Sequence, residues 1–158
     1  MKLKNKVAIG SVQFGLDYGI SNHLGQSSRQ EVNKILDFAA DNQISLIDTA
    51  QSYGNSEEII GDLHDCRFDI VTKLNPSAFT NQNAEKTLKQ SLKRLRMKSI
   101  YGILFHNAES ALQAPKVIKE LNVLKEAGIV KKTGYSVYTP NELERLISKY
   151  GLLSYVIH

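Results

Sequence analysis

Only one cysteine, Cys66, stands in the chain, so no internal disulfide can form and a reducing, cytoplasmic setting is expected. No apolar run approaches the roughly 20 residues a membrane-spanning helix needs. The basic start Met1-Lys2-Leu3-Lys4-Asn5-Lys6 leads into a short apolar stretch with no cleavage pattern, so no secretory leader is expected. Low-complexity tracts and linkers are also missing, and the 158 residues read as one domain. A large charge excess is lacking. The net charge of +4 allows mild steering of anionic ligands but does not make a nucleic-acid binder. The basic run Lys86, Lys89, Lys93, Arg94, Arg96 and Lys98 alternates with one helix's apolar stripe and reads as a solvated face. His23 and His64 lack ligand-like spacing, so no metal site is expected.

What is present is a repeating unit of apolar run, polar turn and amphipathic helix. Residues 7–15 read as the first strand. Ser28 stands three residues before Glu31, a capping-box start for a helix to about Asn42. Val32, Ile35, Leu36 and Ala39 form its buried stripe. Asn55 and Glu58 have the spacing to start a second helix. After Asn75-Pro76 a third runs from about Asn83 to Arg96, with Ala84, Leu88, Leu92 and Leu95 inward. Pro115 opens a fourth, ended by Gly128. Thr139-Pro140-Asn141-Glu142 opens a fifth, and residues 154–158 begin a sixth strand. Strand ends fall at about Phe14, Ala50, Leu74, His106 and Val137, each spacing the length of one βα unit. Parallel strands with right-handed crossovers follow. Two architectures fit: an open doubly wound sheet, or a (β/α)8 barrel cut short. The first loop lacks the G-x-G-x-x-G fingerprint, and Gly15-Leu16-Asp17-Tyr18-Gly19 serves equally as tight turn or ligand loop.

Three strand ends carry chemistry: Asp48-Thr49-Ala50-Gln51-Ser52-Tyr53-Gly54, Thr72-Lys73 and Phe105-His106. Neighbouring strands lie about 4.8 Å apart, so an acid, a phenol, an amine and an imidazole gather on one rim. Singly, each has an ordinary structural role as cap, turn aromatic, solvated charge or core histidine. Jointly they make a candidate active site.

Val12-Gln13-Phe14-Gly15-Leu16-Asp17-Tyr18-Gly19-Ile20, Ile47-Asp48-Thr49-Ala50 with Tyr53-Gly54-Asn55-Ser56-Glu57-Glu58, Thr72-Lys73, Phe105-His106 and Gly128-Ile129-Val130-Lys131-Lys132-Thr133-Gly134-Tyr135-Ser136 together resemble the aldo-keto reductases of the bacterial branch. The resemblance covers essentially the whole chain, in order. It implies an α/β fold, a (β/α)8 TIM-type barrel left incomplete at about six parallel βα units, with 1–158 a single partial domain. It also implies an NAD(P)H-dependent oxidoreductase that reduces an aldehyde or ketone, with NADP(H) as cofactor and a small carbonyl compound as substrate. Asp48, Tyr53, Lys73 and His106 take the catalytic positions, and Ser136 and Asp48 the nicotinamide end of the cofactor. Val137 and Tyr138 depart from the family, where many members carry Asn.

Hydride delivery leaves charge on the carbonyl oxygen, which needs a proton donor and nearby donors to stabilise it. A free tyrosine, with a pKa near 10, is a poor acid at neutral pH. A lysine ammonium beside it favours the phenolate, so Lys73, held by Asp48, would make Tyr53 the general acid. His106 would donate to the substrate oxygen. A full barrel takes about 250 residues, and in the family the last two units carry most phosphate contacts. The 158 residues alone are therefore expected to hold nucleotide weakly, and their open sheet edges to favour a homo-oligomer or self-association. Two alternatives remain: an inactive fragment or scaffold, and a lyase forming a Schiff base through Lys73.

Overall fold

Six parallel strands lie side by side in chain order in the computed structural model, which describes residues 7–74 and 84–151 and the backbone of 155–157. They are β1 (Ile9–Gly10), β2 (Leu46–Asp48), β3 (Asp69–Leu74), β4 (Ile100–Phe105), β5 (Val130–Ser136) and β6 (Tyr155–Ile157). Seven helices accompany them among the described residues: α1 (Val12–Gly15), α2 (Arg29–Asp41), α3 (Ser56–Leu63), α4 (Ala84–Arg94), α5 (Ala108–Gln113), α6 (Pro115–Glu126) and α7 (Pro140–Tyr150). The register pairs Asp48 with Val71, Lys73 with Leu104, and Phe105 with Tyr135. Among the described residues β1 pairs only with β2, and β6 only with β5.

Side-chain alternation separates the two faces of the sheet. Ile47, Ile70, Leu74, Ile103, Phe105 and Tyr135 are buried in one cluster with Val32 and Leu36 of α2, Leu88 of α4, Leu121 of α6 and Leu146 of α7. Val71 and Leu104 are buried too, yet stand outside that cluster, on the face shared with Lys73. Helices thus cover one face while the other turns inward on itself. That is the layering of a barrel wall and not of a doubly wound sheet. Gly102 suits the inner face, because a Cβ there would lie 2.9 Å from Val71 Cγ2.

The helix ends follow their local chemistry. Ser28 and Thr139 each accept from the backbone three residues on, and Glu31 and Glu142 answer in complete capping boxes. Ile35 departs from the expected stripe and is 40% exposed, because Val32, Leu36 and Ala39 already fill the contact with the sheet. Helix α5 was not expected from periodicity. It is one and a half turns long, begun by Asn107, whose Oδ1 accepts from Ser110 N–H at 2.8 Å. Asn75-Pro76, the Asn83 helix start, Ser154 and His158 lie outside the described residues.

The first strand is shorter than residues 7–15 suggest. After Gly10 the chain makes a helical turn over Val12–Gly15, with Phe14 N–H donating to Ser11 O and Leu16 N–H to Val12 O. The reason is tertiary: the turn brings Gly15 against the loop after β2. A Cβ on Gly15 would sit 1.8 Å from Tyr53 O, and one on Gly54 (φ +55°) 2.2 Å from Gly15 O. Strand β3 ends at Leu74 as expected, while three others end slightly early, β2 at Asp48, β4 at Phe105 and β5 at Ser136, leaving Ala50, His106 and Val137 in the loops.

Tyr135 is fully buried, and its hydroxyl has no hydrogen-bond partner among the described residues. Burial, with Tyr150 adding to it, pushes its pKa up to about 12. Removing an unpaired polar atom costs no hydrogen bond. Tyr135→Phe is therefore expected to leave stability unchanged or raise it by about 1 kcal/mol. Urea unfolding checks this, and a loss above 1 kcal/mol would show that the hydroxyl has a partner.

Candidate active site

Lys73 points from β3 into the inner face and is only 4% exposed. Burying an ammonium is costly unless its protons are matched. Here each of the three N–H donors has an acceptor: Asp48 Oδ2 at 2.5 Å, Tyr53 Oη at 3.2 Å and the Thr49 carbonyl at 3.3 Å. Nζ lies 4.9 Å from the Tyr53 ring centroid, which places it beyond the ring edge at the oxygen and not over the face. His106 follows β4, its ring edge-on to Tyr53 with centroids 5.9 Å apart. All four residues named from the strand ends therefore meet in one cluster.

The electrostatics shift Asp48 and His106 in opposite directions. Burial pushes the Asp48 carboxyl above its ordinary value, and the Lys73 ammonium opposes that rise. His106 is pushed down from 6.5 by burial and by Lys73, with Asp48 pulling the other way. Its imidazole is thus neutral at neutral pH and offers one N–H donor. A depressed folded value means that, on acidification, the unfolded chain takes up the proton first. Stability should therefore fall as pH drops through about 6.5 toward the folded midpoint. An NMR titration of the His106 ring should give a midpoint below 6.5, and one above 6.5 would overturn the assignment.

The loop that carries Tyr53 is tied down by residues to which the sequence assigns no role of their own. Ser56 Oγ lies 2.9 Å from both O and Oγ of Ser11 and 3.1 Å from Thr49 Oγ1, a buried hydroxyl knot joining β1, β2 and α3. Gln51 N–H donates to Lys73 O, and its side chain donates to Ser91 Oγ at 2.7 Å. Glu57, 2% exposed, accepts from Thr72 Oγ1 at 2.6 Å and from Arg94 Nε at 2.7 Å. Arg94 is thus a buried carboxylate's partner and not part of a solvated face. No sequence signal connects this pair, since Glu57 opens α3 and Arg94 closes α4, and periodicity within one helix does not link the two.

Asp48 and Ser136, the two residues expected at the nicotinamide end of a cofactor, close β2 and β5. Asp48 Oδ1 is buried and accepts no hydrogen bond among the described residues. Ser136 closes β5 half-buried, one strand beyond His106, with its hydroxyl unengaged among the described residues. No group of three or more metal-ligating side chains occurs among the described residues, and no helix there is long and apolar enough to cross a membrane.

A parallel βα wall with an acid, phenol, amine and imidazole at its carboxyl rim defines part of a (β/α)8-type domain. Comparison with known proteins makes the class specific. The aldo/keto reductase family model matches residues 6–158, and the chain belongs to that family. An uncharacterized oxidoreductase of Bacillus subtilis, YqkF, is 25% identical over 143 residues, 81% of this chain and 47% of that protein. PA4992 of Pseudomonas aeruginosa, described as an aldo-keto reductase, superposes with a TM-score of 0.72 at 28% identity, over 90% of this chain and 59% of that one. An aldo-keto reductase of Klebsiella pneumoniae in complex with NADPH shares the fold at a TM-score of 0.67 and 19% identity, over 89% of this chain and 48% of that one. The chain thus spans roughly half to three-fifths of the length of these relatives.

Proposed function

We propose that this chain carries the catalytic rim of an NAD(P)H-dependent carbonyl reductase, with Tyr53 as the general acid. One observation carries the reading: the Tyr53 oxygen accepts a hydrogen bond from Lys73 Nζ, so the phenolic proton is left to be given away. Family membership and the NADPH complex of the Klebsiella relative support the cofactor class. Asp48 and Ser136 would hold the nicotinamide end, and a bound nucleotide would supply a hydride for the carbonyl carbon. Tyr53 then gives its proton to the carbonyl oxygen. The charge left on the phenolate is met by the Lys73 ammonium, itself held by Asp48. His106, neutral and edge-on to Tyr53, donates to the same oxygen and orients it. The products are the alcohol and the oxidised nucleotide.

The assay is NADPH consumption with equimolar alcohol formation from a panel of aldehydes and ketones. Loss of both in Lys73→Met is expected, and turnover that survives it would remove the site from the reaction. The lyase alternative asks Lys73 to attack a carbonyl, yet all three of its protons are engaged and an ammonium has no lone pair. Borohydride should accordingly leave Lys73 unmodified. Among the described residues β1 and β6 each pair on one side only, which favours self-association of these 158 residues by themselves, and the lone, exposed Cys66 suits a reducing cytoplasm. Light scattering that found a stable monomer at high concentration would count against the first.

A further inference from the structure

His106 is held at two points. Its backbone N–H donates to Leu74 O at 3.0 Å, and its ring Nδ1 lies 3.3 Å from Ser52 Oγ. The turn carrying Ser52 is fixed on both sides. Gln51 N–H donates to Lys73 O at 3.2 Å, and Tyr53 N–H to Ala50 O at 3.1 Å. The Gln51 side chain reaches α4 at Ser91 Oγ and the Thr87 carbonyl. Ser52 therefore meets the imidazole from a rigid base, although its own side chain is exposed.

A neutral imidazole carries one proton on either of two nitrogens. With the proton on Nδ1, Ser52 would accept it and Nε2 would show a bare lone pair to the rim. A carbonyl oxygen arriving there would meet acceptor against acceptor. With the proton on Nε2, the Ser52 hydroxyl donates to Nδ1 and the rim gains a donor. Among the described residues Nε2 has no hydrogen-bond partner, and Lys73 and Asp48 act on the ring only through space. The serine hydroxyl is the one group placed to decide between the two forms.

We propose that Ser52 is a positioning residue: its hydroxyl donates to Nδ1 of His106 and keeps the ring proton on Nε2, the nitrogen that faces the substrate oxygen. The use made of Nε2 rests on the reductase reading above. The tautomer does not, because it belongs to the resting chain without cofactor or substrate. The experiment can therefore fail separately from that reading.

The test is long-range proton–nitrogen NMR of the His106 ring in the nitrogen-15-labelled chain, at a pH above its titration. The unmodified chain should show a pyridine-like Nδ1 and a pyrrole-like Nε2. In Ser52→Ala the Nδ1 resonance should move upfield and Nε2 downfield as the second tautomer mixes in. The ring should also titrate at higher pH, since the bond that favoured its neutral form is gone. Ser52→Thr should restore both. Where turnover is measured, Ser52→Ala should lose about two- to tenfold in kcat, the worth of one ordinary hydrogen bond, with KM unchanged. A pyrrole-like Nδ1 in the unmodified chain, or ring shifts unmoved by Ser52→Ala, overturns the proposal.

Discussion

Tyr53→Phe should lower kcat for carbonyl reduction by about 10²–10⁴-fold and leave nucleotide affinity nearly unchanged. The ring and its edge-on contact with His106 survive the substitution, since phenylalanine keeps the same outline. What disappears is one oxygen, the acceptor for Lys73 and the source of the transferred proton. Asp48 and the Thr49 carbonyl still hold the ammonium, so the site need not rearrange. An interaction made only in the transition state lowers kcat and kcat/KM together, and steady-state kinetics separates that from weakened binding. Undiminished turnover would take Tyr53 out of the mechanism.

Arg94→Met should destabilise the chain by about 3–5 kcal/mol, a large share of the roughly 5–15 kcal/mol that holds a typical domain. Glu57 is almost completely buried, and one of its oxygens receives both Nε and Nη2 of Arg94, at 2.7 and 2.6 Å. Without the guanidinium, a carboxylate is left in the interior with only the Thr72 hydroxyl beside it. Replacing Glu57 by Leu in the same chain removes the stranded charge. The double variant should therefore recover part of the loss, which urea unfolding of the three proteins would show. A cost below 1 kcal/mol for Arg94→Met alone would mean that water reaches the carboxylate.

Much of this arrangement is legible in the sequence. Asp48, Lys73 and His106 each close a short apolar run, and that placement alone brings them to one rim. Helices α2 and α7 were legible at their starts, because a capping box is a local pattern. The early turn at Val12–Gly15 was not, since its apolar residues suit a strand and only the contact of Gly15 with the Tyr53 loop decides otherwise. Helix α5 is too short to show a period. Ser52 and His106 are 54 residues apart, and Arg94 and Glu57 are 37 apart. Such pairs exist only after the strands have aligned, so composition and spacing carry no trace of them.

The contact between Gly15 and Gly54 has a consequence for engineering. Substrate choice in barrels of this kind is altered by diversifying the loops at the carboxyl rim, and the segments around these two glycines are natural targets for such libraries. Yet the nearest atoms there are backbone on backbone, which cannot turn aside as the end of a flexible side chain would. Any residue larger than glycine at either position would push the Tyr53 carbonyl or its neighbour aside and carry the hydroxyl away from Lys73. Randomising the flanking positions Leu16 to Leu24 while holding Gly15 and Gly54 constant would explore new selectivity without dismantling the chemistry that the selectivity is meant to serve.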